Sequence, residues 1–378
     1  MSDNSLCFCA VPGDAADPLT ARTHLEPAHV YRSAFQRDRD RVIHARAFRR
    51  LAGKTQVFTH RYSDHFRSRL THTIEVAQIA RTAAAALALN EDLAETLALV
   101  HDIGHPPFGH AGEQALNRQL QQYGLRFDHN MHALRIVEYF EQRYVGFRGL
   151  NLTLAVREGI IKHSRDYSAA EYPELEEYFL DRRPPLEAQI IDLADEIAYL
   201  TADIDDGIEA EILSLEHIRE NISLFAEFYR PLELRHPGTV PKLLFHESLK
   251  CMMNALVNDL IVTTRQQVLD AEIHSLEEVR DFHRRLAAFS PAMEARRHEA
   301  KQYLLQHLYH AEDLERDHAL ADEIVAGLFK HWMAHPEQLP PGHETQIATE
   351  GAPRVIADYI AGMTDHYIAE QWEKVRRH

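Results

Sequence analysis

Residues 100–113 read VHDIGHPPFGHAGE and place three histidines, one aspartate and one glutamate within fourteen positions. An alanine- and leucine-rich segment, residues 83–99, precedes them with helical periodicity. A glycine and a Pro-Pro pair then end that helix. Apolar helical sequence that ends in His101 and Asp102 is unusual for a protein core. It indicates the centre of a metal-dependent hydrolase site.

The composition is that of a globular protein: 378 residues, 45% hydrophobic and 26% charged. Helical periodicity dominates over strand-like alternation, so the sequence predicts an all-α fold. The formal net charge of −17 disfavours a general nucleic-acid or anionic-membrane surface. Neither a basic leader nor an apolar run of about 20 residues is evident. With three cysteines, an odd number, we expect a cytoplasmic protein.

Three regions are predicted along the chain. Residues 1–30, with several prolines, predict an extended or loosely ordered N-terminal arm. Its Cys7 and Cys9 are a weak metal-binding signal, because no second pair stands nearby. Residues 31–210 are expected to form the catalytic core. Residues 211–378 are expected to be a helical region that packs on the core and completes an oligomer interface.

The segment from residue 31 to residue 54 is rich in arginine, and its apolar residues recur at helical spacing. It therefore predicts one amphipathic helix with an arginine-rich face. Two interpretations of these arginines stay open. They form ion pairs on a solvated face, or some of them receive phosphate in this otherwise acidic protein. Residues 59–69 follow as a polar connector.

Pairs of polar residues at helical spacing accompany the central stretch. A helix predicted to start near Arg69 places His72 one turn later on the same face. His110 and Glu113 are neighbours, three residues apart, on the helix after the Pro-Pro pair. His105 is assigned to the intervening loop.

A long helix predicted over residues 186–210 places Asp195, Tyr199 and Asp203 four residues apart on one face. That stripe either faces solvent or lines a polar cleft. Further breaks are predicted at Pro231 and other prolines, and a final helix is predicted from near Pro353.

Four of these residues form a plausible set of metal donors. His72, His101, Asp102 and Asp195 would supply two imidazoles and two carboxylates. That set suits Mn²⁺, Fe²⁺, Zn²⁺ or Ni²⁺, and Mg²⁺ less well. An adjacent His-Asp pair alone is a weak signal, but its combination with an earlier histidine and a later aspartate is much stronger.

This combination resembles the HD-domain phosphohydrolases, whose metal site follows the pattern H…HD…D. Segments such as RDRDRVIHARAFRRLAGKTQVF, HDIGHPPFGHAGEQALN, FDHNMHALRIVE and ADEIAYLTADIDDG are similar to motifs of the bacterial deoxyguanosinetriphosphate triphosphohydrolase-like family. They follow that family's order from about residue 31 to the C-terminal helix. The resemblance implies a helical HD-domain fold with additional C-terminal helices.

The resemblance also implies roles for individual residues. One divalent ion per site would be held by four ligands: His72, His101, Asp102 and Asp195. Proton transfer would involve a catalytic histidine, its acidic partner and the histidine of the HN motif: His110, Glu113 and His129. Substrate contacts fall on a phosphate-binding arginine, two residues against the deoxyribose and two near the base or sugar: Arg69, Tyr199, Asp203, Arg50 and Leu51.

The implied activity is hydrolysis of dGTP, or of dNTPs generally, to a deoxynucleoside and inorganic triphosphate. Water attacks the α-phosphorus and the 5′-oxygen leaves, so a general acid is needed. His110 is the candidate, with Glu113 to orient it and favour its protonated form, and His129 is the second candidate. Whether His110 protonates the leaving group or activates the water stays open.

Some features leave alternatives open. His132 stands where the family pattern has a glutamine, which leaves the substrate preference open. The relatives form oligomers, often hexamers, and some need an allosteric dNTP, so we expect a homo-oligomer and consider an effector. Another HD-type phosphohydrolase, such as a nucleotidase or nucleotide phosphodiesterase, is the rival enzyme. A dNTP- or nucleic-acid-binding regulator with weak turnover is supported only by the arginine-rich segment.

Overall fold

The fold is described from a computed structural model over residues 5–14, 17–57 and 66–377. Across these residues the chain forms α-helices and no β-strand, which confirms the predicted all-α fold. The helices are α1 Ala34–His44, α2 Arg46–Arg50, α3 Arg69–Leu87, α4 Glu91–Val100, α5 Gly109–Gln121, α6 His129–Arg135, α7 Leu154–Ile161, α8 Leu186–Glu209, α9 Leu215–Asn221, α10 Ser223–Arg235, α11 Pro241–Asp270, α12 Leu276–Asp281, α13 Pro291–Leu304, α14 Glu312–Ala334, α15 His343–Glu350, α16 Ala352–Ala361 and α17 Asp365–Arg376. None of these helices combines the length and the apolar character that crossing a bilayer requires.

The chain divides into two compact units that alternate along the sequence. The first unit comprises Met1–Asp40, His72–Leu99 and Leu152–Ala311. The second comprises Arg41–Thr71, Val100–Asn151 and Glu312–His378. The predicted boundaries near residues 30 and 210 stay a prediction.

Helix α8 is a central element of the first unit. It packs against α11 and α13, and α11 packs against α10. Ile190, Ile197 and Ile204 lie seven residues apart on α8 and are fully buried. Each such side chain contributes about 1.5–3 kcal/mol through burial. This apolar stripe fixes the rotation of α8, and therefore the direction of its acidic residues.

The second unit has its own core, formed by α5, α14, α16 and α17. Leu116 and Leu120 of α5 are buried against Leu328 of α14 and Ile356 of α16. This packing anchors α5, whose first turn carries His110 and Glu113.

Three helix predictions require correction. The single helix predicted over residues 31–54 is divided between α1 and α2, because Ala45 adopts an extended conformation with φ −63° and ψ 149°. The final helix is divided between α16 and α17, where the Thr364 side chain caps α17 by accepting the backbone N–H of Tyr367. Pro231 lies inside α10 and does not end it. Packing of α10 against α11 outweighs the one backbone hydrogen bond that proline removes.

The N-terminal arm has little regular structure in its described residues, but it is not loose. Leu6, Cys9 and Val11 are buried in the first unit. Burial, together with the nearby Glu187, raises the pKa of the Cys9 thiol to about 12. A thiol that stays protonated is a poor metal ligand, which argues against a Cys7–Cys9 metal site. Most of the predicted connector before Arg69 lies outside the described residues.

Candidate active site

His101 and Asp102 lie in a tight turn immediately after α4. The sequence predicted them in the last turn of a helix that ends at Ile103, but α4 ends three residues earlier, at Val100. Gly104 allows this turn to pack against the start of α6. A Cβ atom at Gly104 would lie only 2.0 Å from the backbone oxygen of His129. The turn therefore requires glycine, which links its position directly to His129.

Asp102 is buried and surrounded by nitrogen donors of the second unit. Arg69 donates a hydrogen bond of 2.7 Å to its Oδ2 atom, and Nδ1 of His105 lies 2.9 Å from Oδ1. Burial alone would raise the pKa of the Asp102 carboxyl, but Arg69, His105 and His101 hold it well below its usual range. Asp102 is therefore a buried carboxylate, the state in which it can ligate a cation.

Glu113 contacts His129 more closely than His110. Its Oε1 accepts the backbone N–H of His129 at 3.1 Å and lies 2.9 Å from His129 Nδ1. The corresponding Glu113–His110 distance is 3.7 Å, and the His110 side chain is 65% exposed. Burial alone would raise the pKa of Glu113, but the nearby His110 and the hydrogen-bonded His129 hold it below its usual range. The acidic partner predicted for His110 thus also orients His129.

His105 is a residue whose importance the sequence interpretation missed. It lies in the predicted loop, but it is buried and its ring stacks on that of His129, with centroids 4.0 Å apart and an angle of 26°. Its ring also meets His110 edge-on at 5.6 Å. The only sequence signal was its position three residues after Asp102 in a turn.

His105, Glu113 and His129 place possible ligand atoms within 4.8 Å of one another. A metal ion binds an imidazole along the nitrogen lone pair, which lies in the plane of the ring. Two nearly parallel, stacked rings direct those lone pairs side by side rather than toward one point. The orientation disfavours a shared ion and also direct proton transfer between the two rings. The 2.9 Å contact between Glu113 and Nδ1 of His129 is the one in this group that suits proton transfer.

His72 and Asp195 meet in the first unit, as the metal-site prediction requires of this pair. Nε2 of His72 on α3 lies 2.7 Å from Oδ1 of Asp195 on α8. The His72 side chain is buried, whereas Asp195 is partly exposed. Tyr199, one turn after Asp195, presents its ring edge-on to His72 at 6.4 Å.

Asp203 does not face solvent, so that alternative for the α8 stripe is wrong at this residue. It is buried, and the Tyr309 hydroxyl donates a hydrogen bond to its carboxylate. The Tyr309 ring lies 5.9 Å from that of Tyr199. Burial, reinforced by Asp203, raises the pKa of Tyr309 well above its usual value, so the hydroxyl keeps its proton. The sequence interpretation missed Tyr309, which ends a π-helical turn after α13.

Arg50 lines a cavity of about 690 Å³ in the second unit, together with Arg46, Lys54, His132 and other side chains. It also donates a hydrogen bond of 2.8 Å to the backbone oxygen of Gly362. Leu51, which follows it, is fully buried, and its predicted place near the base or sugar stays a prediction.

Two buried bases of this cavity have unusual environments. Lys54 donates to the backbone oxygens of His105 and Ala361, and burial lowers its pKa to about 7. Nδ1 of His132 lies 3.1 Å from Asp358, yet burial still lowers the pKa of His132. The histidine that departs from the family pattern is therefore part of the cavity wall.

Several arginines of the basic segment follow the ion-pair interpretation. Arg39 donates a hydrogen bond of 2.9 Å to Glu95, and Arg37 lies 3.4 Å from Glu26. Arg41 donates to the backbone oxygens of Leu150 and Asn151. The phosphate-binding interpretation stays a prediction for Arg46 and Arg50, which line the cavity.

Two family models match the chain. The HD domain matches residues 69–200, a range that includes all four predicted metal ligands. A phosphohydrolase-associated domain matches residues 287–374.

Proteins similar to this chain over nearly its whole length come from several bacteria. One from Azoarcus sp. is 46% identical over 355 residues, which cover 94% of this chain and 93% of that protein. One from Thiobacillus denitrificans is 44% identical with the same coverage. One from Bordetella pertussis is 43% identical over 367 residues, 96% of this chain and 95% of its own length. Each bears the name deoxyguanosinetriphosphate triphosphohydrolase-like protein.

Proposed function

The chain belongs to the deoxyguanosinetriphosphate triphosphohydrolase-like family, and from this premise we propose that it hydrolyses dNTPs to deoxynucleoside and inorganic triphosphate. The observation that carries the proposal is the state of Asp102. It is buried beside His101 at the HD motif, and Arg69 and His105 hold it as a carboxylate. A buried carboxylate among imidazoles suits a cation-dependent phosphohydrolase better than a purely structural core.

A divalent ion is assigned to the four residues at the family's motif positions: His72, His101, Asp102 and Asp195. Their chemistry fits such an ion, since two imidazoles and two carboxylates favour Mn²⁺, Fe²⁺, Ni²⁺ or Zn²⁺ over Mg²⁺. When bound, the ion would lower the pKa of a water molecule and polarise a phosphoryl oxygen.

The chain's own side chains supply the remaining chemistry. Arg69 carries positive charge next to Asp102, where it can stabilise charge on the phosphoryl oxygens. The leaving 5′-oxygen needs a proton, and His110 and His129 are the candidates to supply it. Glu113 orients His129 through Nδ1, which leaves Nε2 of that ring for proton transfer. His110 is more exposed and is therefore more accessible to substrate.

Tyr199 and Asp203 are assigned to the deoxyribose. Tyr309 supports this assignment because its hydroxyl donates a hydrogen bond to the Asp203 carboxylate and its ring lies near Tyr199. Packed in this way against the deoxyribose, these side chains would disfavour a substrate that carries an additional 2′-hydroxyl.

An effector dNTP and a homo-oligomer, with a hexamer among the expected states, are also part of the proposal. The cavity lined by Arg46 and Arg50 supports an effector, since two guanidinium groups suit phosphate and the volume of about 690 Å³ suits a nucleotide. The proposal names no preferred base for the substrate site or for the effector site.

Product analysis tests the proposed reaction. The protein is incubated with each of the four dNTPs, alone and in pairs, with Mn²⁺ or Mg²⁺, and the released nucleoside and phosphates are separated by chromatography. Deoxynucleoside together with inorganic triphosphate supports the proposal. Orthophosphate or pyrophosphate would instead identify a nucleotidase or phosphodiesterase. Asp102→Ala is the control: nucleic-acid binding that persists unchanged in a variant without hydrolysis would favour the regulator.

A further inference from the structure

His163 is a buried histidine of the first unit to which the proposed reaction gives no role. It follows α7, and its Nδ1 lies 2.7 Å from Oδ1 of Asp192 on α8. The same oxygen accepts the backbone N–H of Ser164 at 2.9 Å. Ser164 has φ +53°, a left-handed conformation that is uncommon for a residue other than glycine. Such strain persists only where the surrounding contacts hold it, and it is frequent at functional sites.

Arg285 completes this arrangement from the opposite side of Asp192. It donates to Oδ2 of Asp192 and, at 2.8 Å, to the backbone oxygen of Lys162. Asp192 thus accepts hydrogen bonds from Arg285 and from the Ser164 N–H, and the His163 ring lies against the same carboxylate. Nε2, the other ring nitrogen, lies 3.4 Å from the Ser164 hydroxyl. Metal-binding histidines commonly have a carboxylate beside the ring nitrogen that does not bind the ion.

The ring of His163 also lies close to Asp195. A ring nitrogen of His163 and a carboxylate oxygen of Asp195 are within 4.8 Å of each other. Metal–nitrogen and metal–oxygen bonds of about 2.0–2.2 Å allow two ligand atoms to lie about 4.3 Å apart across one ion. A separation of this order is compatible with one cation between the two side chains.

We propose that His163 is a fifth protein ligand of the divalent ion, and that Asp192 and Arg285 are the positioning residues that orient its ring. This inference rests on the proposed function for the presence of the ion, but it does not depend on which phosphate product is released.

Metal binding tests this inference without reference to turnover. Mn²⁺ affinity is measured by titration calorimetry on the full chain and on His163→Gln, Asp192→Asn and His217→Gln. His217 is the matched control, a histidine of the same unit whose Nδ1 meets the Tyr303 hydroxyl at 3.1 Å. We expect His163→Gln to weaken Mn²⁺ binding about 10–100-fold, Asp192→Asn to weaken it about tenfold, and His217→Gln to leave it unchanged.

The absorption spectrum of the Co²⁺-loaded protein separates a ligand from a neighbouring side chain. Loss of an imidazole ligand changes the position and intensity of the cobalt bands in His163→Gln, while Asp192→Asn changes them less. Unchanged Mn²⁺ affinity and an unchanged cobalt spectrum in folded His163→Gln would overturn the inference, even if the Michaelis constant rises. If His163→Gln does not fold, unchanged affinity in Asp192→Asn would overturn it. A wild type that binds Mn²⁺ through His163 but releases no triphosphate would contradict the proposed function alone.

Discussion

Two acidic residues of the first unit, the buried Glu158 and the partly exposed Asp195, have partners of different chemistry. Glu158 is fully buried, and both of its oxygens accept hydrogen bonds from Arg280, at 2.9 and 3.1 Å. Lys162 donates a third at 2.6 Å. Asp195 instead lies 2.7 Å from the imidazole of His72 and within 4.8 Å of His163.

The difference shows that burial of a carboxylate does not by itself indicate function. Arg280 and Lys162 are cations of the chain itself that balance the charge of Glu158, so this cluster joins α7 to the segment around α12. Imidazoles can act as neutral nitrogen donors, so the group around Asp195 suits a cation that the chain itself does not supply. The nature of the partners therefore distinguishes a structural cluster from a candidate site.

Removing the Asp195 carboxylate from the candidate site should produce the largest effect on activity. Asp195→Asn should lower triphosphate release at least ~10³-fold, because a metal site contributes several kcal/mol to transition-state stabilisation. The free energy of unfolding should change little. Steady-state product release and urea unfolding measure the two quantities. Activity within tenfold of the wild type would remove Asp195 from the site.

Removing the acid of the structural cluster should have the opposite outcome. Glu158→Gln leaves the buried cations Arg280 and Lys162 without their carboxylate, which should lower the free energy of unfolding by about 3–5 kcal/mol. Urea unfolding measures this loss, and turnover per folded molecule should stay unchanged. If the free energy of unfolding falls by less than about 1 kcal/mol, the ion pairs of Glu158 contribute little to stability.

A bound metal should stabilise the protein only where the candidate site is intact. At a Mn²⁺ concentration 100 times its dissociation constant, the free energy of unfolding should rise by about 2.7 kcal/mol. The increase should occur in the wild type and in Glu158→Gln, but not in Asp195→Asn. Thermal or urea unfolding with and without Mn²⁺ measures it. An equal increase in Asp195→Asn would place the ion elsewhere.

Lys54 extends the comparison to a buried cation that donates to backbone oxygens. Its pKa falls from 10.5 to about 7 on folding, so between these values the unfolded chain binds more protons than the native chain. Stability should therefore rise with pH, by about 2 kcal/mol from pH 7 to pH 9. Lys54→Met should lack this increase. Urea unfolding at both pH values measures it, and an identical increase in the variant would assign the effect to other groups.

The smallest expected effect comes from removing the hydrogen bond that the Tyr309 hydroxyl donates to Asp203. Tyr309→Phe removes one hydrogen bond worth about 1 kcal/mol to a buried carboxylate. The kcat/KM ratio of a dNTP to the matching ribonucleotide should therefore fall about fivefold. Competition between the two nucleotides measures the ratio. An unchanged ratio would show that Tyr309 supports Asp203 without contributing to sugar selection.

Local sequence patterns predicted the elements that carry the site better than the contacts within it. The spacing of Asp195, Tyr199 and Asp203 predicted their common helix, since helical periodicity is local. The helix containing Arg69 and His72 was also predicted, with nearly the observed start. The division of the basic helix at Ala45 was missed, because no proline or glycine marks it there.

Contacts between distant segments were beyond such patterns. Tyr309 meets Asp203 across 106 positions of the chain, and Arg285 meets Asp192 across 93. Neither pairing can be predicted from residue spacing or composition, because only tertiary packing brings these residues together. The same is true of His105, whose stacking on His129 depends on the close approach that Gly104 permits.

Hydrolysis of a dNTP in ¹⁸O-labelled water tests the proposed reaction most directly. Attack on the α-phosphorus with departure of the 5′-oxygen puts the label into inorganic triphosphate and leaves the deoxynucleoside unlabelled. Mass spectrometry of both products, with Asp195→Asn as the inactive control, should show one labelled oxygen in the triphosphate. Label in orthophosphate or pyrophosphate, or in the deoxynucleoside, would contradict the proposed triphosphohydrolase reaction.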